Sequence, residues 1–212
     1  MAESSTGHET GSDRSFVSRI GDDFTTTTWV LIPIGIGLNA VGGFIVNLLK
    51  LPLFMDNIGT VLLAIMAGPW AAALTGALSN FVSAMLGSPQ QLAFLPVPVA
   101  IGLVAGVLAR RGWFDDVKRV LVSALVIWIV ATLIATPIVV VVFGGVTGAG
   151  PSLVTGVLVA SGRALVESAL TAQFLVEFFD KGATTFIAYF IGKAVPPRYL
   201  PPQGQQIYSS QK

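Results

Sequence analysis

Apolar residues in this chain fall into six segments that short polar stretches separate. The segments are Trp29 to Leu49, Ile58 to Ala67, Ala71 to Leu86, Phe94 to Ala109, Val120 to Phe143, and a last one that ends near Val195. Valine, leucine, isoleucine, alanine and glycine dominate these runs, which are too long for the roughly ten-residue alternating strands of an outer-membrane barrel. The pattern therefore predicts an all-α bundle of six transmembrane helices.

Two neighbouring segments are short for a membrane crossing. They lie on either side of "AGPWA" at 67–71, and each is shorter than the roughly 20 residues that a perpendicular helix needs. A tight hairpin whose Gly68-Pro69 turn lies within the membrane boundary fits this spacing. Such a turn is tolerated only where other helices cover its backbone, so the sequence predicts that these two helices are buried in the bundle.

Composition agrees with an integral membrane protein. The chain has 53% hydrophobic and only 11% charged residues, whereas soluble domains carry roughly 25% charged residues. It has no cysteine and one histidine, His8, which lies in a polar stretch. Disulfides and cysteine-ligated metals are thereby excluded, and the sequence predicts no metal site and no cofactor.

Basic residues predict the orientation of the bundle. Nine of the twelve lie in the segments that six crossings place on one side: Arg14, Arg19, Arg110, Arg111, Lys118, Arg119, Lys193, Arg198 and Lys212. The positive-inside rule makes that side cytoplasmic. We therefore expect a disordered cytoplasmic tail at 1–24, a six-helix membrane domain at 25–197 and a cytoplasmic tail at 198–212, in the plasma membrane of a prokaryote.

The last apolar segment is too long for one helix and carries five charges. The roughly 45 residues from Pro151 to Val195 would extend about 67 Å as one helix, about twice the hydrocarbon thickness. The sequence therefore predicts an outer helix at about 153–170 and a final crossing at about 172–195. On this division Arg163 and Glu167 belong to an outer lid or interfacial segment, whereas Glu177, Asp180 and Lys181 lie in the outer half of the last helix. All five are candidate substrate-binding residues.

Helical spacing places part of this charge on one face. Glu177 and Lys181 are separated by roughly 40° around the helix axis, with Gln173 on the same side, whereas Asp180 lies roughly 100° from Lys181. One interpretation is that Glu177 and Lys181 only neutralise each other and fix the helix. The other is a solute pocket, because ionisable residues inside a membrane normally face the bundle interior or a water-filled cavity.

Further polar residues lie at matching depths. Asp56, Asn57, Gln90 and Gln91 are near the outer mouth, where pocket-lining and plain solvation are both open. Asn39 and Asn80 lie deeper, where amides often join helices. A concave outer site with a few polar groups among apolar walls suits a small organic ligand. Charges of both signs indicate a polar or zwitterionic ligand with an apolar or aromatic body.

The sequence offers little for catalysis. It contains no HExxH, no Walker A sequence and no GxSxG. We therefore do not expect an enzyme, and another protein or an ion gradient would have to supply energy for uphill transport. Small residues on the first helix, with Gly35, Ala40 and Gly43 among them, indicate a face that could dock another membrane subunit.

Two stretches resemble a known family. "LPLFMDNIGTVLLAIMAGPWAAALTGALSN" at 51–80 and "EFFDKGATTFIAYFIGKAVPPR" at 177–198 are similar to the substrate-binding S components of energy-coupling factor (ECF) transporters. The resemblance implies capture of a vitamin-like ligand from outside, beneath the first, third and fifth loops. It also implies docking on a membrane T component with two cytoplasmic ATPases, with ATP hydrolysis accompanying toppling of the S component.

The resemblance also implies a docking face on helix 1, where the family often presents Ala-x-x-x-Ala. This chain has Gly35, Asn39 and Gly43 at that spacing, with Ala40 beside them. The expected partners are therefore a small molecule, the T component, the two ATPases and the lipid bilayer, with no nucleic acid. Two alternatives stay open: an autonomous proton-coupled carrier that uses Glu177, Asp180 or Lys181, and a non-transporting sensory or scaffolding module.

Overall fold

The computed structural model describes residues 20–148 and 150–209, and these residues form helices joined by short loops, without β-strands. The helices are α1 (Thr26–Leu48), α2 (Ile58–Met66), α3 (Pro69–Met85), α4 (Pro96–Arg110), α5 (Val117–Pro137), α6 (Gly150–Ala160), α7 (Leu165–Ala194) and α8 (Pro202–Ser209). A π-helical turn, Ile138–Val142, extends α5, and short 3-10 helices lie at Pro89–Leu92 and Pro197–Tyr199. The all-helical prediction is confirmed for this part of the chain.

The short second helix lies at the centre of the bundle. Every residue of α2 is buried, and the helix packs against α1, α3, α4 and α7. Gly68, at φ 115°, makes the turn into α3, which begins at Pro69. A proline at the first helical position costs no hydrogen bond. The predicted short hairpin covered by other helices is therefore present.

Two glycines allow α1 and α2 to touch through their backbones. A Cβ atom on Gly59 would lie 2.0 Å from the carbonyl oxygen of Gly35. Only glycine fits so close an approach. The contact fixes the crossing of the two helices and aligns Asn39 of α1 with the first turn of α2.

Membrane crossing by length and composition is clear for two helices. Among the described residues, Thr26–Leu48 and the continuous stretch Val117–Val142 are long and apolar enough to span a bilayer by themselves. Helices α2, α3 and α4 are shorter, and α7 carries several charges. The count of six crossings therefore stays a prediction, and the "outer end" below means the end that the charge distribution predicts to face outward.

The division of the last apolar segment differs from the prediction. The helix ends at 161–164 instead of near 171, so that α6 covers Gly150–Ala160 and α7 covers Leu165–Ala194. Gly162, at φ 88°, ends α6, and the amides of Ser161 and Arg163 return to carbonyls of its last turns. The predicted helix at 153–170 was wrong because this glycine terminates it. Glu167 therefore belongs to α7, which at 30 residues is about 45 Å long.

The opposite end of the bundle is tied together by a buried carboxylate. Asp23 is 1% exposed, accepts a hydrogen bond from the amide of Trp70 (2.8 Å) and forms an ion pair with Arg110. Arg110 Nε donates to Gln203 Oε1 (3.0 Å), and Gln203 Nε2 donates to the carbonyl of Ala64 (3.0 Å). The network joins the start of the described chain to α2, α3, α4 and α8.

This network corrects the predicted N-terminal tail at its boundary. Residues 20–23 are helical, and Asp23 is part of the folded body, although the sequence predicted disorder up to residue 24. Residues 1–19 of that tail lie outside the described residues. Residues 199–209 are folded as well, because Leu200 and Ile207 are buried and α8 packs on α2; residues 210–212 lie outside the described residues.

Candidate functional site

Loop 1, residues 49–57, folds back onto α7 through one carboxylate. Asp180 Oδ1 accepts hydrogen bonds from the backbone amides of Phe54 (2.9 Å) and Met55 (2.7 Å). Met55 adopts φ 52°, a left-handed conformation that is uncommon for such a residue. Asp180 is fully buried, and its bonds hold this strained turn against α7.

A buried set of charges continues along the same helix. Lys181 Nζ donates to Asp180 Oδ2 (2.6 Å) and lies 3.1 Å from Glu177 Oε2. Gln173 Nε2 donates to Glu177 Oε1 (3.0 Å). Gln173, Glu177 and Lys181 are at most 2% exposed. The predicted pairing of Glu177 with Lys181 is present, and Gln173 extends it by one helical turn.

These side chains face a cavity of about 60 Å³ at the outer end. Helices α3, α4, α5 and α7, together with loops 1, 3 (residues 86–95) and 5 (residues 143–148), contribute to its wall. Its lining residues are Phe54, Asp56, Asn57, Asn80, Gln90, Gln91, Phe94, Val97, Pro98, Ala135, Val139, Thr147, Gln173, Glu177 and Lys181. Ligand pockets typically combine apolar walls with a few polar groups in this way.

Amides and a carboxylate join loop 1 to loop 3 across the cavity. Asp56 accepts hydrogen bonds from Asn57 Nδ2 (2.6 Å) and from Gln91 Nε2 (3.3 Å). Asn80 Nδ2, on α3, donates to the backbone carbonyl of Gln91 (3.1 Å). The two loops are therefore tied to each other and to α3 by few bonds, most of them through side chains.

A second groove lies beside these loops. It is lined by residues of α1 and α3 and of loops 1, 3 and 5. The groove and the cavity share Phe54, Asp56, Gln90 and Gln91 as lining residues. The two spaces are therefore neighbours that meet at these four side chains.

The structure brings most of the predicted site residues together. Gln173, Glu177, Lys181, Asp56, Asn57, Gln90 and Gln91 all line the cavity. Asp180 lies next to it but does not line it, since its oxygens are used by loop 1 and Lys181. Arg163 and Glu167 are not part of the cavity. They are exposed, and the Arg163 guanidinium lies 3.4 Å from the Glu167 carboxylate. The turn at Gly162 places both residues at the tip of the α6–α7 hairpin.

Sequence reasoning missed the aromatic walls. Phe54 and Phe94 line the cavity, and Phe94 stacks on Phe143 of loop 5 with ring centroids 5.4 Å apart. Lys181 Nζ lies 5.6 Å from the centre of the Phe54 ring. The available signal was proximity in sequence, since each phenylalanine lies within three residues of a predicted polar site residue.

The predicted partner-contact residues of α1 do not share an outward face. Gly35 is buried against α2. Asn39 is 2% exposed, donates to Thr60 Oγ1 (2.9 Å) and Ser79 Oγ (2.8 Å), and accepts from the amide of Gly59 (2.7 Å). Gly43 is half-buried beside loop 1 and only Ala40 is exposed. Gly35 and Asn39 therefore pack inside the chain, and of the four predicted contact residues only Ala40 and part of Gly43 face outward, so that the docking face stays a prediction.

Comparison with known proteins points to one family. The family model described as "ECF transporter, substrate-specific component" matches residues 28–192. This range covers nearly all of α1 and α7, all of α2 to α6 and every residue that lines the cavity. No curated protein and no solved structure matches the chain.

Proposed function

Because the chain belongs to the family of ECF transporter substrate-specific components, we propose that it captures a small water-soluble vitamin or related micronutrient from outside and delivers it inward. The family match confirms the resemblance drawn from residues 51–80 and 177–198. Members of this family are substrate-binding membrane modules of transporters and not enzymes. Membrane location, transport and substrate binding therefore apply to this chain, while the ligand and the partners are proposals.

The observation that carries the proposal is the cavity between α7 and loops 1 and 3. Its polar face consists of Gln173, Glu177 and Lys181 from one helix, and it is opposed by Asp56 and Gln91 from the loops. Burying so many polar groups costs folding free energy. A small molecule that bonds to them supplies a reason for their presence.

Binding is tested on the purified full chain. Mass spectrometry of the compound that the protein retains identifies the ligand, and calorimetry then measures its affinity for a matched pair of variants. Gln91→Ala removes a cavity side chain, whereas Gln205→Ala removes the same side chain at the opposite end. Loss of one bond of about 1.4 kcal/mol lowers affinity about tenfold. We expect that loss for Gln91→Ala alone; equal affinities would contradict the assignment of the cavity.

The proposed topology has six crossings, with both termini in the cytoplasm of a prokaryotic cell. The distribution of basic residues supports it, and the complete burial of α2 supports a short crossing that other helices cover. The chain has no native cysteine, so single-cysteine variants report position directly. An impermeant maleimide should label Ser161→Cys in intact cells, and Arg111→Cys only after lysis. The opposite pattern would invert the topology.

For the energy source we propose a membrane T component with two cytoplasmic ATPases, as the family resemblance implies. Co-purification of these proteins, followed by ATP-driven uptake in proteoliposomes, tests the assembly. The buried carboxylate of Glu177 in the cavity makes the proton-coupled carrier the alternative to compare. Uptake by the lone chain that follows a proton gradient and ignores ATP would favour that alternative.

A further inference from the structure

The orientation of two amides in the cavity is fixed by carboxylates. Asn57 Nδ2 donates to Asp56 Oδ1 (2.6 Å), and Gln173 Nε2 donates to Glu177 Oε1 (3.0 Å). Rotating either amide by 180° would place its oxygen against a carboxylate oxygen. The amide nitrogens of Asn57 and Gln173 are therefore the atoms that donate to these carboxylates, and the amide oxygens point away from them.

Two buried amide oxygens beside the cavity lack a hydrogen-bond donor. Asn57 Oδ1 and Gln173 Oε1 have no hydrogen-bond partner in the described part of the chain. Glu177 Oε2 is a third buried acceptor, and it shares the Lys181 ammonium, 3.1 Å away, with Asp180. All three residues line the cavity and are at most 4% exposed. Buried polar atoms are normally satisfied, so this side of the cavity requires donors from outside the chain.

Carboxylates outnumber ammonium groups around the cavity. Among the described residues that line it, Asp56 and Glu177 carry carboxylates and Lys181 carries the ammonium. Asp180, next to the cavity, bonds to Lys181 at 2.6 Å. Three carboxylates thus share one ammonium, and a positively charged ligand would reduce this excess of negative charge.

Aromatic rings form the apolar part of the wall. Phe94 is held flat against Phe143 by stacking, and the Phe54 ring already faces an ammonium, that of Lys181. Rings of this kind bind flat apolar groups and attract cations over their faces. The wall consequently complements a planar body that carries positive charge.

We infer that the ligand of this cavity is an organic cation that presents N–H donors from a flat, partly apolar ring system. The inference rests on the proposed function and specifies its substrate class. The ligand's donors bond to Asn57 Oδ1, Gln173 Oε1 and Glu177 Oε2, and its ring lies against Phe54 and Phe94. A donor-free solute would leave the amide oxygens of Asn57 and Gln173 unpaired, and an anionic solute would add to the negative charge.

The charge and donors of the bound compound are the first test. The purified full chain is incubated with a low-molecular-weight filtrate of yeast extract and, separately, with an equimolar panel of thiamine, pyridoxamine, pyridoxine, riboflavin, nicotinate and biotin. Retained compounds are identified by mass spectrometry after washing. We expect a cation with N–H donors, and pyridoxamine to be retained over pyridoxine, which shares its ring but lacks the amino group. Retention of an anion, of an uncharged compound or of a compound without N–H donors overturns the inference and leaves the proposed function standing.

A matched pair of variants provides the second test. Glu177→Gln removes a cavity charge at nearly constant volume, and Glu167→Gln makes the same change at an exposed position on the same helix. Glu177→Gln should weaken binding of the retained compound at least tenfold, and Glu167→Gln should leave it unchanged. Equal or tighter binding by a folded Glu177→Gln protein overturns the inference, while the identity of the retained compound decides the case if that variant does not fold. A folded wild-type protein that retains no compound from either source contradicts the proposed function itself.

Discussion

Removing the Asp180 carboxylate should release loop 1 from α7. In the structure one carboxylate oxygen accepts both the Phe54 and Met55 amides, at 2.9 and 2.7 Å, and the other accepts Lys181 at 2.6 Å. Asp180→Ala leaves two amide donors and one ammonium without this partner. Asp180→Asn keeps an oxygen that can accept the amides but loses the charge that faces Lys181.

The magnitude follows from the number of bonds. A hydrogen bond to a charged group contributes about 1.5–3 kcal/mol, and breaking a buried ion pair by removing one partner costs about 3–5 kcal/mol. We therefore expect Asp180→Ala to lower the free energy of opening loop 1 by about 3 kcal/mol or more, and Asp180→Asn by about half of that. A change of 3 kcal/mol corresponds to roughly a hundredfold faster amide exchange.

Hydrogen exchange followed by mass spectrometry on the peptide that contains Phe54 and Met55 measures this opening directly. The control is Glu167→Ala, which removes an exposed carboxylate from the same helix and should leave exchange in loop 1 unchanged. Affinity for the retained ligand should fall with the loss of protection, because loop 1 carries Phe54 and Asp56 into the cavity. Unchanged exchange at these two amides in a folded Asp180→Ala protein would refute the role of Asp180 in holding loop 1 against α7.

Three further predictions concern stability, each measured as thermal or denaturant unfolding of the protein in the same detergent. Asn39→Ala should lower the free energy of unfolding by about 2 kcal/mol, because Asn39 makes four hydrogen bonds with α2 and α3 and interhelical bonds in membranes average about 0.6 kcal/mol each. The control is Asn47→Ala, at an exposed position of the same helix, which should change stability little. Equal losses for the two variants would contradict this reasoning. Gly59→Ala should lower the free energy of unfolding by at least about 2 kcal/mol by overpacking, since its Cβ would lie 2.0 Å from a backbone oxygen. The control Gly37→Ala faces open space and should be neutral. A Gly59→Ala protein of unchanged stability would show that the two backbones separate easily. Asp23→Ala should lower the free energy of unfolding by about 2–3 kcal/mol and make α8 more sensitive to proteolysis, because it removes the ion-pair partner of Arg110. A variant that is equally stable and not cleaved would show that other contacts hold α8 in place.

The sequence predicted the helices of the first two thirds of the chain well. Predicted and observed ends of the first five segments differ by at most three residues, apart from the π-helical end of α5. Hydrophobic runs determine these helices, and the Gly68-Pro69 pair fixes the turn between α2 and α3. The last third was divided incorrectly although the sequence carries a turn signal, Ser-Gly-Arg at 161–163, and in the structure Gly162 ends α6 with φ 88°.

The candidate site was predictable as far as helical spacing reaches. The spacing of Gln173, Glu177 and Lys181 defines one face of α7, and the structure places that face on the cavity. Asp180 was grouped with them although it lies about 100° away from Lys181. That angle is the physical reason for its different role, because it directs the carboxylate toward loop 1 and not into the cavity.

Contacts between distant segments could not be predicted from spacing. The bonds from Phe54 and Met55 to Asp180 connect residues more than a hundred positions apart. Asn39 illustrates the same limit: its spacing with Gly35 and Gly43 favoured a docking face, whereas the backbone contact of Gly35 with Gly59 turns that stripe inward. Small residues in a membrane helix indicate close packing, but they do not identify which helix approaches.

Lys181 connects the two roles of α7. Its ammonium lies between Asp180, which holds loop 1, and Glu177, which lines the cavity. Two carboxylates that share one ammonium each receive less than its full stabilisation, so a cation that bonds to Glu177 leaves Lys181 free to pair more completely with Asp180. Because Asp180 holds the amides of Phe54 and Met55, we expect the inferred cation to favour closure of loop 1 over the cavity. On that inference, the charges in this apolar helix couple occupancy of the cavity to the loop that covers it.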